Sequence, residues 1–302
     1  MKNEGLNMFE RKKFTELPQP FICVMISEPT VDEAIRVMKL SEAEGAQAFI
    51  INLMGDGKMG LQKRFLNEKD LKKMFNATRL PSMACYYRWH YLRKPVMDND
   101  EERMRILVMS VKAGAKCIDM EGDTFDPVIG PKVFTEESKE YSLNKKSPPR
   151  EITYNSEAIK KQKKVIKTVH ELGGEVQMST HARVHLTLKQ IVKIAREHEK
   201  RGAKIAKIVK VDTSWDDMFE TLKATIELKR RLKIPFIMMS HGEHSILARY
   251  IAPLLGSMLC FTQYDYVTGG FYLQPITKNI KMVFDGIKNI IPLHDPKELN
   301  WL

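Results

Sequence analysis

Short apolar runs recur along the chain, and longer segments lie between them in which apolar residues return every three or four positions. The runs are five to seven residues long and rich in β-branched, aromatic and sulfur-containing residues, which is typical of buried strands. The eight runs span residues 21–26, 47–53, 82–87, 115–121, 175–179, 204–210, 235–240 and 257–261. The pattern therefore predicts eight strands that alternate with helices.

Helix start and stop signals support this alternation. Capping residues such as Thr213 and Ser214 precede helical segments, and a glycine stands just before the next strand in most units, as Gly202 does. Strands that alternate with helices predict a parallel sheet, and eight units predict closure into a single-domain α/β fold, a (β/α)8 TIM barrel. A doubly wound open sheet is the alternative, but no glycine-rich phosphate fingerprint follows the first strand.

The barrel is predicted over residues 19–290, with an N-terminal extension at 1–18 and a C-terminal tail at 291–302. The connection at about 122–154 is out of proportion to the others. Because it follows a strand, it is expected on the face where barrel enzymes build their active sites. We interpret it as a lid or an oligomer contact, with plain disorder as the alternative.

The composition limits the kinds of molecule that the chain is expected to bind. The chain has 49 Lys and Arg against 38 Asp and Glu, a net charge of +11 that suits an anionic substrate. The basic residues are scattered along helices with few aromatics between them, which argues against nucleic acid. No apolar run is long enough to span a membrane, and the N-terminus lacks the apolar core of a signal peptide. We expect a cytoplasmic protein with no membrane partner.

Cysteine and histidine give no sign of a metal centre. The four cysteines all fall in predicted strands without a CxxC spacing, so we expect small buried thiols instead of disulfides or zinc ligands. Four histidines follow predicted strands 5 and 7, at positions 181, 185, 241 and 244. The first pair would share a face only in a helix, but that stretch leaves a strand, so no metal and no cofactor are predicted.

The strand between Gly202 and Asp212 carries the main candidate for chemistry. Side chains alternate along a strand, which places Lys207 on one face with apolar neighbours, Lys204 at the solvent end and Lys210 on the opposite face. A lysine amine in an apolar setting is a good nucleophile towards a ketone and can form a Schiff base. The alternative is a lysine that extends to solvent at the strand end and has no chemical role.

Polar and charged residues also stand at or just after the ends of other strands, where a barrel would bring them together. They are Arg88, Glu121, His181, Arg249 and Gln274. Each has a simpler explanation: Glu121 could pair with a lysine, His181 could be a core histidine, and Arg249 could form a surface salt bridge.

Several of these stretches resemble those of a known family. IDMEGD around Glu121, VQMSTH around His181, GAKIAKIVKV around Lys207 and FIMMSHGEHSILARYIAP around Arg249 are similar, in order and spacing, to type I 3-dehydroquinate dehydratases over about residues 19–290. The matches at Arg88 and Gln274 are weaker. The resemblance implies a carbon–oxygen lyase of the shikimate pathway and aromatic amino-acid biosynthesis, a homodimer that needs no cofactor. Its substrate would be 3-dehydroquinate or a close carboxylated ring ketone, converted to 3-dehydroshikimate.

The resemblance also implies a role for each matched residue. Lys207 would attack the ring ketone, His181 would move the proton from the adjacent carbon, and Glu121 would orient His181. The substrate carboxylate would be bound by Arg249, Arg88 and Gln274.

The sequence departs from the family around the substrate ring. Asn52 and Met54 replace a Glu-x-Arg pair, Arg183 stands where phenylalanine is expected, and His241 stands where methionine is expected. We therefore expect Asn52, Arg183 and His241 to line the substrate site and to recognise hydroxyls differently. Two alternatives stay open: a class I aldolase-type Schiff-base lyase, and a catalytically degenerate barrel that serves as a binding protein.

Overall fold

The strands form one parallel sheet whose order follows the chain from β1 to β7, with β8 beside β1. The computed structural model describes residues 11–54, 60–88, 99–127, 140, 152–182, 184–266 and 272–290, without the side chains of 288–290. The strands are β1 (Phe21–Ile26), β2 (Ala48–Asn52), β3 (Ser82–Cys85), β4 (Cys117–Glu121), β5 (Glu175–His181), β6 (Ile205–Val211), β7 (Phe236–His241) and β8 (Leu259–Thr262). Each begins and ends within two residues of its predicted run, so the fold prediction is confirmed.

Helices surround the sheet: the first seven each connect two successive strands, and the eighth follows β8. They are α1 (Val31–Ala43), α2 (Glu68–Phe75), α3 (Asp100–Lys112), α4 (Ser156–Glu171), α5 (Leu188–Arg201), α6 (Trp215–Arg231), α7 (Ile246–Ile251) and α8 (Thr277–Ile290). The predicted signals act as expected: Ser214 accepts a hydrogen bond from the backbone N–H of Asp217, and Gly202 ends α5 at φ +100°. None of the helices in the described part of the chain combines the length and apolar character that a bilayer crossing requires.

The barrel closes between β7 and β8. Met258, just before β8, donates a backbone hydrogen bond of 2.8 Å to the carbonyl of Phe236 in β7. The hydroxyl of Ser257 accepts a second bond, from the backbone N–H of Met238. Because the strands on both sides are joined, the carboxyl ends of all eight strands face one common mouth.

The opposite end of the barrel is covered by the segment before β1. Phe14 is fully buried within the hydrophobic core, and the backbone and hydroxyl of Thr15 both bind the carboxylate of Glu175 at the start of β5. Part of the predicted extension at 1–18 therefore packs on the barrel. Residues 1–10, the tail at 291–302 and most of the connection at 122–154 lie outside the described residues, so the lid or oligomer contact stays a prediction.

All four cysteines are free and buried, as predicted. Burial in apolar surroundings raises the pKa of the Cys260 thiol to about 12, which keeps that thiol protonated and unreactive.

One histidine is fully buried where α5 packs on β5. His198 of α5 has no exposed surface, and its Nε2 lies 3.0 Å from the hydroxyl of Thr180 in β5. Burial, reinforced by the positive charge of Arg201, lowers the pKa of His198 to about 3.

We expect acid to destabilise the fold through His198. Between the usual histidine pKa of 6.5 and about 3, the unfolded chain binds a proton that the folded histidine does not. The free energy of unfolding should therefore fall as pH falls, by up to about 1.4 kcal/mol per pH unit from this group. His198→Gln keeps a hydrogen-bonding group for Thr180 but does not titrate, so urea unfolding across this range should show a shallower pH dependence. An unchanged slope in the variant would contradict the assignment.

Candidate active site

Lys207 lies near the middle of β6 with its amine inside the barrel. The residue is 3% exposed, and its Nζ donates hydrogen bonds to the Tyr87 hydroxyl at 2.7 Å and to Asp119 Oδ2 at 3.1 Å. The rings of Tyr87 and Phe261 stand 5.3 Å and 5.1 Å from Nζ. These contacts fix the position of the amine and keep bulk water away from it.

Asp119 of β4 is the carboxylate beside this amine. Its Oδ2 also accepts hydrogen bonds from the Tyr87 hydroxyl at 2.8 Å and from Gln177 Nε2 at 2.7 Å. Burial raises the pKa of Asp119, but the electrostatic influence of Lys207 and His181 and hydrogen bonds from Ser179 and Tyr87 outweigh burial, so the pKa lies below its usual value. Asp119 is therefore ionised in the resting site and holds the lysine by charge.

His181 lies on the strand next to Lys207, one step nearer the mouth of the barrel. It is the last residue of β5, pairs in register with Val209, and is 3% exposed. Because Val209 lies two residues beyond Lys207, His181 is nearer the mouth of the barrel on the neighbouring strand. Its ring meets the Tyr87 ring edge to face at 4.9 Å, which holds the imidazole in place.

Glu121, the last residue of β4, is bound by a buried arginine. Its Oε2 accepts a hydrogen bond from Arg103 Nη2 at 2.5 Å and another from the backbone N–H of Arg88 at 2.7 Å. Arg103 is itself fully buried and also binds Asp100. Glu121 thus balances a buried guanidinium, and its role in orienting His181 stays a prediction. Asp119 is the carboxylate that contacts the lysine. Sequence reasoning missed Asp119, although it stands two residues earlier in the same IDMEGD motif.

Arg88 is likewise held by the protein itself. Its Nη1 binds the carbonyl and carboxylate of Asp123, and its Nη2 binds Asp100 and the carbonyl of Asp126. The chain leaves β3 at Cys85, so Arg88 reaches the N-terminus of α3 instead of the barrel axis. This placement argues against the predicted role of Arg88 in holding a substrate carboxylate.

The other predicted site residues lie around the mouth of the barrel. Arg249 of α7 is buried and donates from Nη2 to the carbonyl of Ser240, close to the end of β7. Gln274 is buried after β8, and His241 is the last residue of β7. Their substrate contacts stay predictions.

Asn52 and Arg183 complete the predicted set. Asn52 ends β2, and its side-chain oxygen accepts the backbone N–H of Met54 at 3.0 Å, while its amide nitrogen lies 3.5 Å from the hydroxyl of Ser27. The amide therefore shapes the backbone at this strand end. Arg183 lies outside the described residues.

A second lysine of β6 is also buried. Lys210 faces the helices, where it pairs with Asp212 at 2.7 Å and donates to the carbonyl of Asp217. Lys204 is exposed, as expected for the solvent end. Lys210 therefore shares the burial of Lys207 but lies on the opposite face of the strand, as predicted. Of these three lysines, Lys207 is the one that faces the interior of the barrel.

Within the described residues, no group of three or more His, Cys, Asp or Glu side chains has an arrangement that could hold a metal ion. His185, one of the histidines weighed as a ligand, lies instead 3.1 Å from Asp217. The chemistry of the described site is that of an amine, a carboxylate, a phenol and an imidazole.

Comparison with known proteins gives concordant matches. The sequence model of a family described as type I 3-dehydroquinase matches residues 22–268. A 3-dehydroquinate dehydratase from Clostridium kluyveri is 35% identical over 102 residues, a segment that covers 33% of this chain and 40% of that relative. The matched segment thus spans less than half the length of that curated relative.

Solved structures match over nearly the whole chain. The 3-dehydroquinate dehydratase from Geobacillus kaustophilus has a TM-score of 0.71 at 15% identity, with 94% of this chain and 98% of that chain covered. A type I 3-dehydroquinate dehydratase from Clostridium difficile, with covalently modified comenic acid, has a TM-score of 0.69 at 16% identity, with 92% and 95% covered. At these identities the likeness shows the fold alone.

Proposed function

The chain belongs to the type I 3-dehydroquinase family, and from that premise we propose that it is a carbon–oxygen lyase that dehydrates 3-dehydroquinate, or a closely related cyclic hydroxy-keto acid, to 3-dehydroshikimate. The observation that carries the proposal is the buried amine of Lys207 between Asp119 and Tyr87. The chain's curated relative from Clostridium kluyveri has the same named activity. The covalently modified compound in the Clostridium difficile protein supports a covalent step in this family.

The first stage is formation of a Schiff base. The neutral amine of Lys207 attacks the carbon of the ring ketone, a C–N bond forms, and the carbonyl oxygen leaves as water. The resulting iminium draws electrons from the adjacent carbon and makes its C–H bond acidic. Asp119 balances the positive charge of the lysine before attack, at 3.1 Å from Nζ.

His181 performs the second stage. Its imidazole removes the proton from the carbon next to the iminium, and the electron pair of that C–H bond forms an enamine. The ring hydroxyl then leaves with the proton that His181 returns, so that one molecule of water is lost. Hydrolysis of the iminium releases the enone and restores Lys207. The edge contact with Tyr87 supports this proposal, because it restrains the imidazole ring.

Substrate recognition is assigned to the mouth of the barrel. We propose that Arg249 and Gln274 bind the carboxylate, because both lie beyond the last strands and a guanidinium suits a carboxylate. Asn52, Arg183 and His241 would read the ring hydroxyls in place of the residues usual in the family. Arg88 is left out of this set, because its guanidinium is bound to Asp100 and Asp123.

A direct assay tests the proposal. Purified protein is incubated with 3-dehydroquinate and with analogues that differ in one ring hydroxyl, and the enone product is followed by its absorbance. A hydroxyl mismatch costs about 1–3 kcal/mol, so the altered residues could lower kcat/KM by roughly 10²–10⁴-fold when two hydroxyls are misread. A kcat/KM for 3-dehydroquinate of about 10⁴–10⁸ M⁻¹s⁻¹ would show that the altered residues are tolerated. If no ketone in the series gives an enone, the proposed reaction is wrong.

We also propose that the protein acts in the cytoplasm, in the shikimate pathway, as a homodimer. Trp215 and Phe219 lie one turn apart on α6 and are 54% and 60% exposed, which supports a subunit contact at that helix. Light scattering at micromolar concentration tests the oligomeric state.

A further inference from the structure

Tyr87 is a buried tyrosine that touches both the proposed nucleophile and the carboxylate beside it. It is 4% exposed and lies two residues beyond the end of β3. Its hydroxyl accepts a hydrogen bond from Lys207 Nζ at 2.7 Å and donates one to Asp119 Oδ2 at 2.8 Å. The phenol oxygen is closer to the amine than the carboxylate is, since the direct distance from Lys207 to Asp119 is 3.1 Å.

We propose that Tyr87 is a catalytic residue that carries a proton between Lys207 and Asp119 while the Schiff base forms. The inference rests on the proposed function in one respect: Lys207 must be the nucleophile. A phenol suits the task because it is donor and acceptor at once, so that it can release one proton as it receives another and remain neutral.

Schiff-base formation by this route needs no proton donor or acceptor besides Lys207, Tyr87 and Asp119. The proposed step starts from an ion pair between an ammonium at Lys207 and a carboxylate at Asp119, whose Nζ and Oδ2 atoms lie 3.1 Å apart. One ammonium proton passes to the Tyr87 oxygen as the phenol proton passes to Asp119, which leaves a neutral amine and a carboxylic acid. The amine lone pair forms the C–N bond, and an N–H proton moves to the former carbonyl oxygen to give a carbinolamine.

The proton held by Asp119 is consumed when the carbinolamine loses water. Asp119 returns it through Tyr87 to the carbinolamine hydroxyl, the C–O bond breaks, and water leaves as the nitrogen lone pair forms the iminium. The sum is a ketone and an ammonium converted to an iminium and water. The charge on Lys207 that keeps Asp119 ionised disappears with the first transfer, so the carboxylate can hold the proton for that interval.

Tyr87→Phe is the variant that tests the relay. It removes only the hydroxyl and keeps the ring that meets His181 edge to face. Levulinate, a small keto acid, is used with cyanoborohydride, and the rate of mass gain at Lys207 is measured by intact mass and peptide mapping. We expect the rate at saturating levulinate to fall by about 10²-fold, at the low end for general acid–base groups because Asp119 still contacts Lys207 directly.

A solvent isotope effect separates a relay from simple positioning of the amine. With two protons in flight, the wild-type rate should fall measurably in deuterium oxide, and Tyr87→Phe should show a smaller effect. Tyr86→Phe is the matched control, since Tyr86 is the adjacent buried tyrosine and no proton transfer is assigned to its hydroxyl. It should trap levulinate at the wild-type rate. A Tyr87→Phe rate within a factor of about two of wild type, with an unchanged isotope effect, would overturn the relay.

The outcomes distinguish this inference from the proposed function. Levulinate trapping at Lys207 reports on the relay whatever the natural substrate is, whereas enone formation from 3-dehydroquinate and its analogues reports on the reaction. Normal turnover, together with an unchanged trapping rate in Tyr87→Phe, would contradict the relay and leave the proposed reaction standing. Trapping that depends on Tyr87, without turnover of any ring ketone, would overturn the proposed reaction alone. If Lys207 is never labelled, both are wrong.

Discussion

Lys207→Ala should leave a folded barrel that forms no covalent adduct with a keto acid and no enone from 3-dehydroquinate. The reason is that, among the described residues, no other lysine amine lies inside the barrel to form the C–N bond of the Schiff base. Tyr87 and Gln177 still donate to Asp119 in the variant, so the carboxylate keeps hydrogen bonds when the ammonium is lost. The measurement is borohydride reduction with keto acid present, followed by intact mass and peptide mapping.

Two further variants make this prediction sharper. Lys207→Arg keeps a positive charge beside Asp119, but a guanidinium does not become neutral and cannot form the iminium, so it too should fail to trap. Lys204→Ala is the matched control, because Lys204 is exposed just before the first residue of β6. Lys210→Ala is a poor control, since it would leave Asp212 buried without its partner, at a cost of about 3–5 kcal/mol. Trapping that persists in both Lys207 variants would remove Lys207 from the mechanism.

The second large effect is expected at His181. His181→Ala should still form the Schiff base, but the loss of the proton from the adjacent carbon should slow by about 10²–10⁴-fold, because general acid–base catalysis is removed. Substrate deuterated at that carbon, followed by mass spectrometry, separates this step from adduct formation. Lys207 stays in contact with Asp119 in this variant, so trapping by borohydride should continue.

Chemical rescue provides the control for this prediction. Added imidazole should restore part of the proton transfer in His181→Ala, because it can occupy the space that the side chain vacates. The wild-type rate should not respond to imidazole. A folded variant that forms no adduct would show that His181 acts at Schiff-base formation, and a rate within a factor of about two of wild type would remove it from the mechanism.

The sequence predicted the position of a side chain well where that position depends only on the strand that carries it. The apolar run at 204–210 placed Lys207 inside the barrel, because alternation along a strand determines which face a residue occupies. The strand ends were also predictable within two residues, since apolar runs bounded by glycine and turn residues mark them.

Pairings between elements were less predictable. The sequence places Glu121 and Asp119 on the same face of β4, and it does not say which one receives the buried Arg103 and which one receives Lys207. Tyr87 was taken as part of an apolar run, because a tyrosine at a strand end looks the same whether its hydroxyl meets solvent or an amine. These choices depend on contacts between residues 18 to 120 positions apart, which one sequence does not reveal.

The ion pairs beside the mouth of the barrel also constrain how this chain can change over generations. Arg88 and Arg103 share Asp100, while Asp123 and Glu121 each hold one of them. Loss of one partner from such a buried group costs about 3–5 kcal/mol, whereas replacement of the whole group by apolar residues can be neutral. A single substitution at any of these five positions should therefore destabilise the fold and be removed by selection. A joint replacement of the whole group should be tolerated. The five positions are therefore expected to covary among descendants of this chain: all are kept, or all are replaced together.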